Sequence, residues 1–143
     1  MESNWNNKTI LLVEDDQTSA LLVEELLLTT GIQIVHVVTG KECLEILDSK
    51  EYVFDLILMD IRLPDIDGIE TTRRIRLTNE KVPIIYMTAA VSETNKSECF
   101  NAGGNEFISK PFAVGNFFVL LTKYLNIPVA DFFYARAHSN TLV

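Results

Sequence analysis

Short apolar runs alternate with longer helix-type segments along most of this 143-residue chain. The runs are too short to form helices and are rich in branched aliphatic residues, which predicts five strands, at Thr9–Val13, Ile32–Val38, Leu56–Asp60, Val82–Thr88 and Phe107–Ser109. Apolar residues three or four positions apart predict five helices between and after them, at about 17–30, 39–47, 66–77, 92–102 and 114–125. Because strands that alternate with helices connect through parallel crossovers, the sequence predicts a doubly wound, three-layer α/β/α domain with a five-stranded parallel sheet.

The composition is that of one acidic domain. Twenty Asp and Glu residues against 12 Lys and Arg give a formal net charge of -8, which argues against nucleic-acid binding because phosphates require a basic patch. Cys43 and Cys99 lie in helix-type segments without a CxxC spacing, so disulfide, zinc and thiol-catalysis interpretations lack support. No apolar run has the length of a signal sequence or a membrane span, and we therefore expect a cytoplasmic protein that binds no membrane.

Four of the five predicted strands end in side chains suited to metal or phosphate chemistry. Glu14 and Asp15 follow the first strand, Asp60 ends the third, Thr88 ends the fourth and Lys110 follows the fifth. Taken singly, such residues are more often caps, turn residues or solvated surface residues. Because the carboxyl ends of parallel strands meet at one edge of the sheet, their joint placement favours a functional site.

The three carboxylates in this set predict a metal ion. Carboxylates gathered in one crevice repel unless a cation neutralises them or some take up protons. Oxygen ligands without His or Cys indicate a hard ion, and Mg²⁺ is the best match. Asp60 could then act as a nucleophile that forms an aspartyl phosphate, with the Lys110 ammonium and the Thr88 hydroxyl stabilising phosphoryl oxygens.

Four motifs stand in order along the chain: Leu12–Asp16, Leu58–Gly68, Met87–Ala89 and Ser109–Phe112. Together they resemble the receiver domain of response regulators, the CheY-like proteins of two-component and phosphorelay signal transduction. The resemblance covers about residues 8–127 and implies a flavodoxin-like sheet with strand order 2-1-3-4-5. Residues 1–7 would then be an N-terminal leader, and residues 128–143 a C-terminal tail or linker.

The resemblance implies a metal-ligand set. Asp60 matches the aspartate that accepts the phosphoryl group. Glu14 and Asp15 match the acidic pair, of which the second binds Mg²⁺ directly and the first usually acts through water. Arg62 matches the residue that offers its backbone carbonyl to the metal.

The resemblance also implies a switch. Thr88 matches the switch hydroxyl, and Lys110 matches the phosphate-pairing lysine, whose bond to Pro111 is usually cis. Phe107 matches the aromatic residue that rotates inward on activation. Phenylalanine in place of the commoner tyrosine removes a hydroxyl, which puts in doubt any output contact that depends on hydrogen bonding there.

A receiver accepts a phosphoryl group from a histidine kinase or a histidine phosphotransfer protein and then signals to a downstream protein. The signalling face would comprise the fourth helix, fifth strand and fifth helix, and the domain is no enzyme beyond its own phosphorylation and dephosphorylation. A single-domain regulator and the receiver piece of a hybrid histidine kinase both remain open. The alternative is a pseudo-receiver, a protein-interaction module that signals without phosphate.

Two enzyme or cofactor classes share the strand plan. A phosphohydrolase of the haloacid dehalogenase type needs a second acid two residues after its nucleophile, and that position is Arg62. A flavodoxin-like cofactor binder needs a Ser, Thr or Gly cradle after the first strand, where this chain has acids that repel phosphate. Beside the site, Asp16 is predicted to cap the first helix, and Asp65 and Asp67 to be turn and helix-start residues.

The last helix and the tail predict an association surface. We expect Phe118 and Leu125 to point partly outward, and three aromatic residues follow at positions 132–134. An apolar surface of this size favours burial. The tail would fold over the helix, or the face would meet a partner or a second copy in a homodimer.

Overall fold

The computed structural model describes residues 4–89 and 93–128, which form one five-stranded parallel sheet in the order β2-β1-β3-β4-β5. The strands are β1 (Thr9–Val13), β2 (Gln33–Val37), β3 (Leu56–Asp60), β4 (Ile84–Thr88) and β5 (Glu106–Ser109). The helices are α1 (Gln17–Leu27), α2 (Gly40–Ser49), α3 (Gly68–Arg76), α4 (Glu93–Asn101) and α5 (Val114–Tyr124). This arrangement confirms the predicted fold class and strand order.

Successive strand side chains enter two separate cores, one on each face of the sheet. Along β1, Ile10 and Leu12 pack with residues of α1 and α5, whereas Leu11 and Val13 pack with residues of α2, α3 and α4. Every residue of β3 and β4 is buried, which explains why their apolar stretches carry no charge before the final polar residue. The two cysteines are free and buried, as expected for structural thiols.

Element boundaries differ from the prediction where capping groups set them. Helix α1 ends at Leu27 and continues as a short 3₁₀ turn to Thr30, before Gly31 takes the left-handed conformation at φ 79°. Helix α3 begins at Gly68 because the Asp67 side chain accepts a hydrogen bond from the Glu70 amide at 2.7 Å. Apolar periodicity predicts where a helix lies, whereas a capping side chain such as that of Asp67 determines where its first turn begins.

The N-terminal segment contributes to the core. The resemblance predicts a leader at residues 1–7, and within that segment Trp5, in the 3₁₀ turn Asn4–Asn7, is fully buried. Its ring packs edge-on against Phe118 of α5, with the ring centroids 5.9 Å apart. Phe118 and Leu125 are each only 2% exposed, so the prediction that they point outward is wrong. Residues 129–143, with the three tail aromatics, lie outside the described residues.

None of the helices within residues 4–89 and 93–128 is long and apolar enough to cross a membrane.

Candidate functional site

Three of the predicted site residues converge because their strands run parallel and their side chains share a face. Glu14 directly follows β1, Asp60 ends β3 and Lys110 directly follows β5. The residue two positions earlier in each strand packs into the core beside α1 and α5: Leu12, Leu58 and Ile108. Alternation along a strand therefore directs the three polar side chains to that same face at the carboxyl edge of the sheet.

The acids form one cluster. Carboxylate oxygens of Glu14, Asp15 and Asp60 all lie within 4.8 Å of one another. Glu14 is fully buried and Asp60 is 8% exposed, whereas Asp15 is open to solvent. Burial, followed by the neighbouring Asp60 carboxyl, raises the pKa of Glu14 to about 7, although Lys110 acts in the opposite direction. The cluster therefore has less positive charge than its carboxylates require.

Lys110 joins the two buried acids. Its Nζ donates to Glu14 Oε1 and lies 3.7 Å from Asp60 Oδ2. The other oxygen of that carboxylate, Asp60 Oδ1, accepts a hydrogen bond from the Arg62 backbone N–H at 3.3 Å. The Lys110 backbone N–H donates to the Thr88 carbonyl at 2.7 Å, and the Lys110–Pro111 bond is cis. Asp60 is thus held between a lysine on one side and a backbone donor on the other.

Thr88 and Phe107 occupy the neighbouring strands. Thr88 is 3% exposed at the end of β4, in register with Ser109 of β5. Phe107 is half-buried and meets Phe100 of α4 edge-on, with the ring centroids 6.1 Å apart. Lys96 Nζ, also on α4, lies 5.1 Å from the Phe107 ring centroid. Phe107 therefore links β5 to α4, on the face predicted to change on activation.

Gly68 allows the first turn of α3 to lie directly against the backbone of Asp60 and Ile61. A Cβ atom at position 68 would lie 2.1 Å from the Asp60 carbonyl oxygen and 2.9 Å from Ile61 Cα. The Gly68 amide instead donates to the Ile61 carbonyl at 2.7 Å. Local sequence patterns do not predict this close approach between the end of β3 and the start of α3.

The remaining acids near the site act as helix caps. Asp16 accepts a hydrogen bond from the Ser19 amide at 2.9 Å, which confirms its predicted role at the start of α1. Asp65 caps a different helix from the one it precedes: its carboxylate accepts from the Gly40 and Lys41 amides of α2 at 3.0 and 2.8 Å. Desolvation acts to raise the pKa of this exposed carboxyl, but these backbone donors, with those of Ile66 and Asp65, outweigh it and lower the pKa of Asp65. Sequence spacing gives no sign of this contact across 25 residues.

His36 contacts the acid cluster through the backbone, a contact that the sequence also did not reveal. Its Nε2 lies 2.7 Å from the carbonyl oxygen of Glu14. Its Nδ1 lies 3.8 Å from Glu24 Oε1 on α1. A lone histidine in a strand carries no signal for such a contact, because the contact depends on the register between β1 and β2.

The donor set fits a hard divalent cation. Three carboxylates face one lysine, the ligand oxygens are close enough to share an ion, and no sulfur or imidazole joins the cluster among the described residues. The raised pKa of Glu14 agrees with this donor set. Burial and the neighbouring Asp60 disfavour the charged form of Glu14, and a bound cation would favour it.

Comparisons with known proteins identify the family. A sequence model described as the response regulator receiver domain matches residues 10–122. Transcription factor SKN7 of Chaetomium thermophilum is 36% identical over 127 residues, which cover 87% of this chain and 17% of that protein. The polar-differentiation response regulator DivK of Brucella ovis is 31% identical over 120 residues, which cover 82% of this chain and 96% of that protein. The chain thus spans less than half the length of some curated relatives and nearly the whole of others.

A solved structure agrees with this assignment. The receiver domain of the sensor histidine kinase PA1611 from Pseudomonas aeruginosa PAO1, which has a magnesium ion in its active-site cleft, is 32% identical. It superposes with a TM-score of 0.74 and covers 83% of this chain and 98% of its own. With its parallel sheet, its cluster of three acids and the paired Lys110, this chain belongs to the response regulator receiver domain family.

Proposed function

We propose that this chain is a phospho-accepting receiver in which Asp60 takes one phosphoryl group from a histidine phosphodonor in the presence of Mg²⁺. The observation that carries the proposal is the placement of Asp60 between the acids Glu14 and Asp15 and the ammonium group of Lys110. Such a site can neutralise charge on both sides of a phosphoryl group, which is the main requirement of phosphoryl transfer.

The metal-ligand roles are those that the resemblance of the motifs to receiver domains implies. Asp15 and Asp60 would bind Mg²⁺ through carboxylate oxygens, Glu14 would act through water, and Arg62 would offer its backbone carbonyl. When bound, the ion supplies positive charge for the acids and for phosphoryl oxygens. The solvent exposure of Asp15 suits a direct ligand that an entering hydrated ion can reach.

The chain's own residues would perform the transfer. A carboxylate oxygen of Asp60 attacks phosphorus while the bond from phosphorus to the donor nitrogen breaks, and that nitrogen keeps the bonding electrons. Lys110, which pairs with Glu14 before transfer, would pair with a phosphoryl oxygen afterwards. The Thr88 hydroxyl would donate to a second oxygen, and the space vacated by its loop would receive Phe107.

A phosphodonor needs a surface beside Asp60. Leu21 and Leu22 on α1 are 54% and 50% exposed, and Leu22 lines a cavity with Pro111, Phe112 and Lys110. An apolar surface next to the acceptor suits the helical surface of a histidine kinase or histidine phosphotransfer protein. The downstream target would instead bind α4, β5 and α5, where Phe107 lies.

We place the receiver domain at residues 8–127, with Trp5 of the preceding segment packed into its core. The chain matches DivK over 96% of that regulator, and it matches a receiver taken from a sensor kinase over 98%. Both the single-domain setting and the hybrid-kinase setting are therefore supported by relatives. In either setting we propose no catalytic activity on external substrates.

Intact mass measurement after incubation with acetyl phosphate and Mg²⁺ tests the proposed function. Wild type should gain one phosphoryl group, and EDTA should prevent the gain. Asp60→Asn should gain none, whereas Asp48→Asn, which removes an exposed carboxylate on α2, should behave as wild type. An adduct of equal yield in Asp60→Asn would sink the assignment, and a wild type that takes no phosphoryl group would favour a phosphate-independent interaction module.

A further inference from the structure

His36, on the neighbouring strand β2, forms a hydrogen bond with the backbone of Glu14, and we call this contact the clamp. Its Nε2 lies 2.7 Å from the Glu14 carbonyl oxygen. A carbonyl oxygen can only accept a hydrogen bond, so Nε2 carries the hydrogen and donates it. This contact fixes the ring tautomer and the direction of the Glu14 carbonyl together.

The clamp begins where the regular strand pairing stops. The ladder between β1 and β2 ends at the pair Val13 and Val37. Beyond it, the Glu14 N–H donates to the Val37 carbonyl at 3.1 Å, and the Glu14 carbonyl accepts from His36. Both backbone polar groups of Glu14 are thus bonded to β2. Because the Glu14 carbonyl belongs to the peptide unit that leads into Asp15, its direction limits where the Asp15 side chain can point.

The other ring nitrogen of His36 faces α1. Nδ1 lies 3.8 Å from Glu24 Oε1 on α1, and the His36 side chain is 25% exposed. The imidazole therefore lies between α1 and the loop that carries two of the three clustered acids. Loss of a group that orients metal ligands typically lowers metal affinity about tenfold or more.

We propose that His36 is a positioning residue for the metal site: its bond to the Glu14 carbonyl sets the directions of the Glu14 and Asp15 carboxylates. This inference rests on the proposed function only in taking the acid cluster to be the Mg²⁺ site. A variant without this bond still has all three carboxylates, but two of them are no longer fixed in direction. Metal affinity therefore falls although no ligand is removed. A residue that only packed between strands would change stability and leave the affinity of the folded protein unchanged.

Three variants of the 143-residue chain separate these roles. His36→Phe keeps a planar ring and removes the donor, whereas His36→Gln keeps an N–H donor of similar reach. Val35→Ala serves as the matched control, because it trims a packed residue of the same strand and removes no bond to Glu14. Calorimetric titration with Mg²⁺ should give a dissociation constant about tenfold higher for His36→Phe, with His36→Gln and Val35→Ala close to wild type.

The dependence of the phosphorylation rate on Mg²⁺ concentration gives a second measure of metal affinity. For His36→Phe, the Mg²⁺ concentration at half-maximal rate from acetyl phosphate should rise about tenfold. The rate at saturating Mg²⁺ should stay close to that of wild type, because Asp60, Thr88 and Lys110 are untouched. Equal Mg²⁺ affinity in His36→Phe and wild type, or an equal loss in His36→Phe and Val35→Ala, would overturn the proposal.

Amide hydrogen exchange in metal-free protein tests the clamp independently of phosphorylation. The Asp15 and Asp16 amides should exchange faster in His36→Phe than in wild type, His36→Gln or Val35→Ala. If His36→Phe does not fold, His36→Asn replaces it, because its shorter side chain cannot reach the Glu14 carbonyl. Unchanged exchange in the folded donor-free variant overturns the clamp even if Asp60 is phosphorylated, whereas faster exchange in a protein that takes no phosphate overturns only the proposed function.

Discussion

Glu14 shows how one buried residue sets the charge balance of the site. Its side chain is fully buried, pairs with Lys110 and also accepts from the Asp16 amide at 3.3 Å. The same lysine lies 3.7 Å from Asp60, so two acids share one ammonium group. A cation bound by these acids would free Lys110 to meet an incoming phosphoryl group, which makes the protonation of Glu14 and the binding of metal competing events.

The raised pKa of Glu14 makes metal-free stability depend on pH. The folded protein holds this proton more tightly than the unfolded chain, because the pKa rises from an ordinary value of 4.5 to about 7. The stability linked to this proton is complete below about 4.5 and is lost as the pH rises through 7. Denaturant unfolding in EDTA across this range should therefore show a decline in wild type that Glu14→Gln lacks.

Glu45→Gln is the matched control for that measurement, since it neutralises an exposed glutamate on α2. Its pH profile should follow that of wild type. Parallel profiles for wild type and Glu14→Gln would show that Lys110 neutralises Glu14 and that burial does not govern its protonation. With Mg²⁺ present, the wild-type decline should diminish, because the ion favours the deprotonated acid.

At the scale of elements, the start of α3 determines where Asp60 lies. Asp67 caps this helix, and Gly68 lets its first turn approach the Asp60 backbone more closely than any other residue would permit. The Asp65 carboxylate in the same loop caps α2, so one short loop fixes the starts of two helices. Asp60 is therefore packed against the backbone of α3 on one side and lies close to the Lys110 side chain on the other.

Gly68→Ala should destabilise the protein and slow phosphorylation of Asp60. The new methyl group meets the backbone at 2.1 Å and can be accommodated only by a shift of Asp60 or α3, which typically costs about 1–3 kcal/mol. Gly115→Ala is the matched control, since nothing lies within 4 Å of its added Cβ on α5. That control should be neutral or stabilising by up to about 1 kcal/mol. Urea unfolding and acetyl phosphate kinetics would check both, and equal stability of the two variants would contradict the close packing.

The sequence predicted most elements of the fold because short apolar runs and helical periodicity are local signals. Prediction failed where a long-range contact decides the outcome. The Asp65 cap on α2 and the His36 clamp on Glu14 both depend on tertiary placement. The helical pattern of α5 likewise gives no sign that Trp5 packs against Phe118, so the prediction of an outward Phe118 is wrong.

At the scale of the whole molecule, sheet topology brings together residues that are far apart in sequence. Glu14 and Lys110 are separated by 96 positions, yet they pair because β1 and β5 are parallel and direct these side chains to one face. Because the carboxyl ends of parallel strands meet at one edge, the order of the polar residues along the chain predicts that a site exists, whereas the individual roles come from resemblance to a family. Arg62 as a carbonyl ligand and Phe107 as a moving aromatic remain predictions of that resemblance.

Activation should change one face of the molecule. Beryllofluoride, a phosphoryl mimic, should draw Thr88 inward and let Phe107 leave its contact with Phe100, which alters amide exchange in α4, β5 and α5. Thr88→Ala should still accept a phosphoryl group from acetyl phosphate but show smaller exchange changes, because the hydroxyl that couples phosphate to the loop is absent. Thr78→Ala, beyond the end of α3, controls for loss of a threonine. Exchange changes confined to α1 and α2 would contradict this switch.

We propose that Asp60, among the clustered acids, forms the aspartyl phosphate. Borohydride reduction converts an aspartyl phosphate to homoserine, so peptide mapping after phosphorylation with acetyl phosphate and Mg²⁺ locates the modified residue directly. We expect conversion at position 60 of the wild-type chain, none at Asp15 or Asp65, and none in protein treated with EDTA. Conversion at another acid with Asp60 unmodified, or equal modification of the Asp60→Asn variant, would contradict the claim.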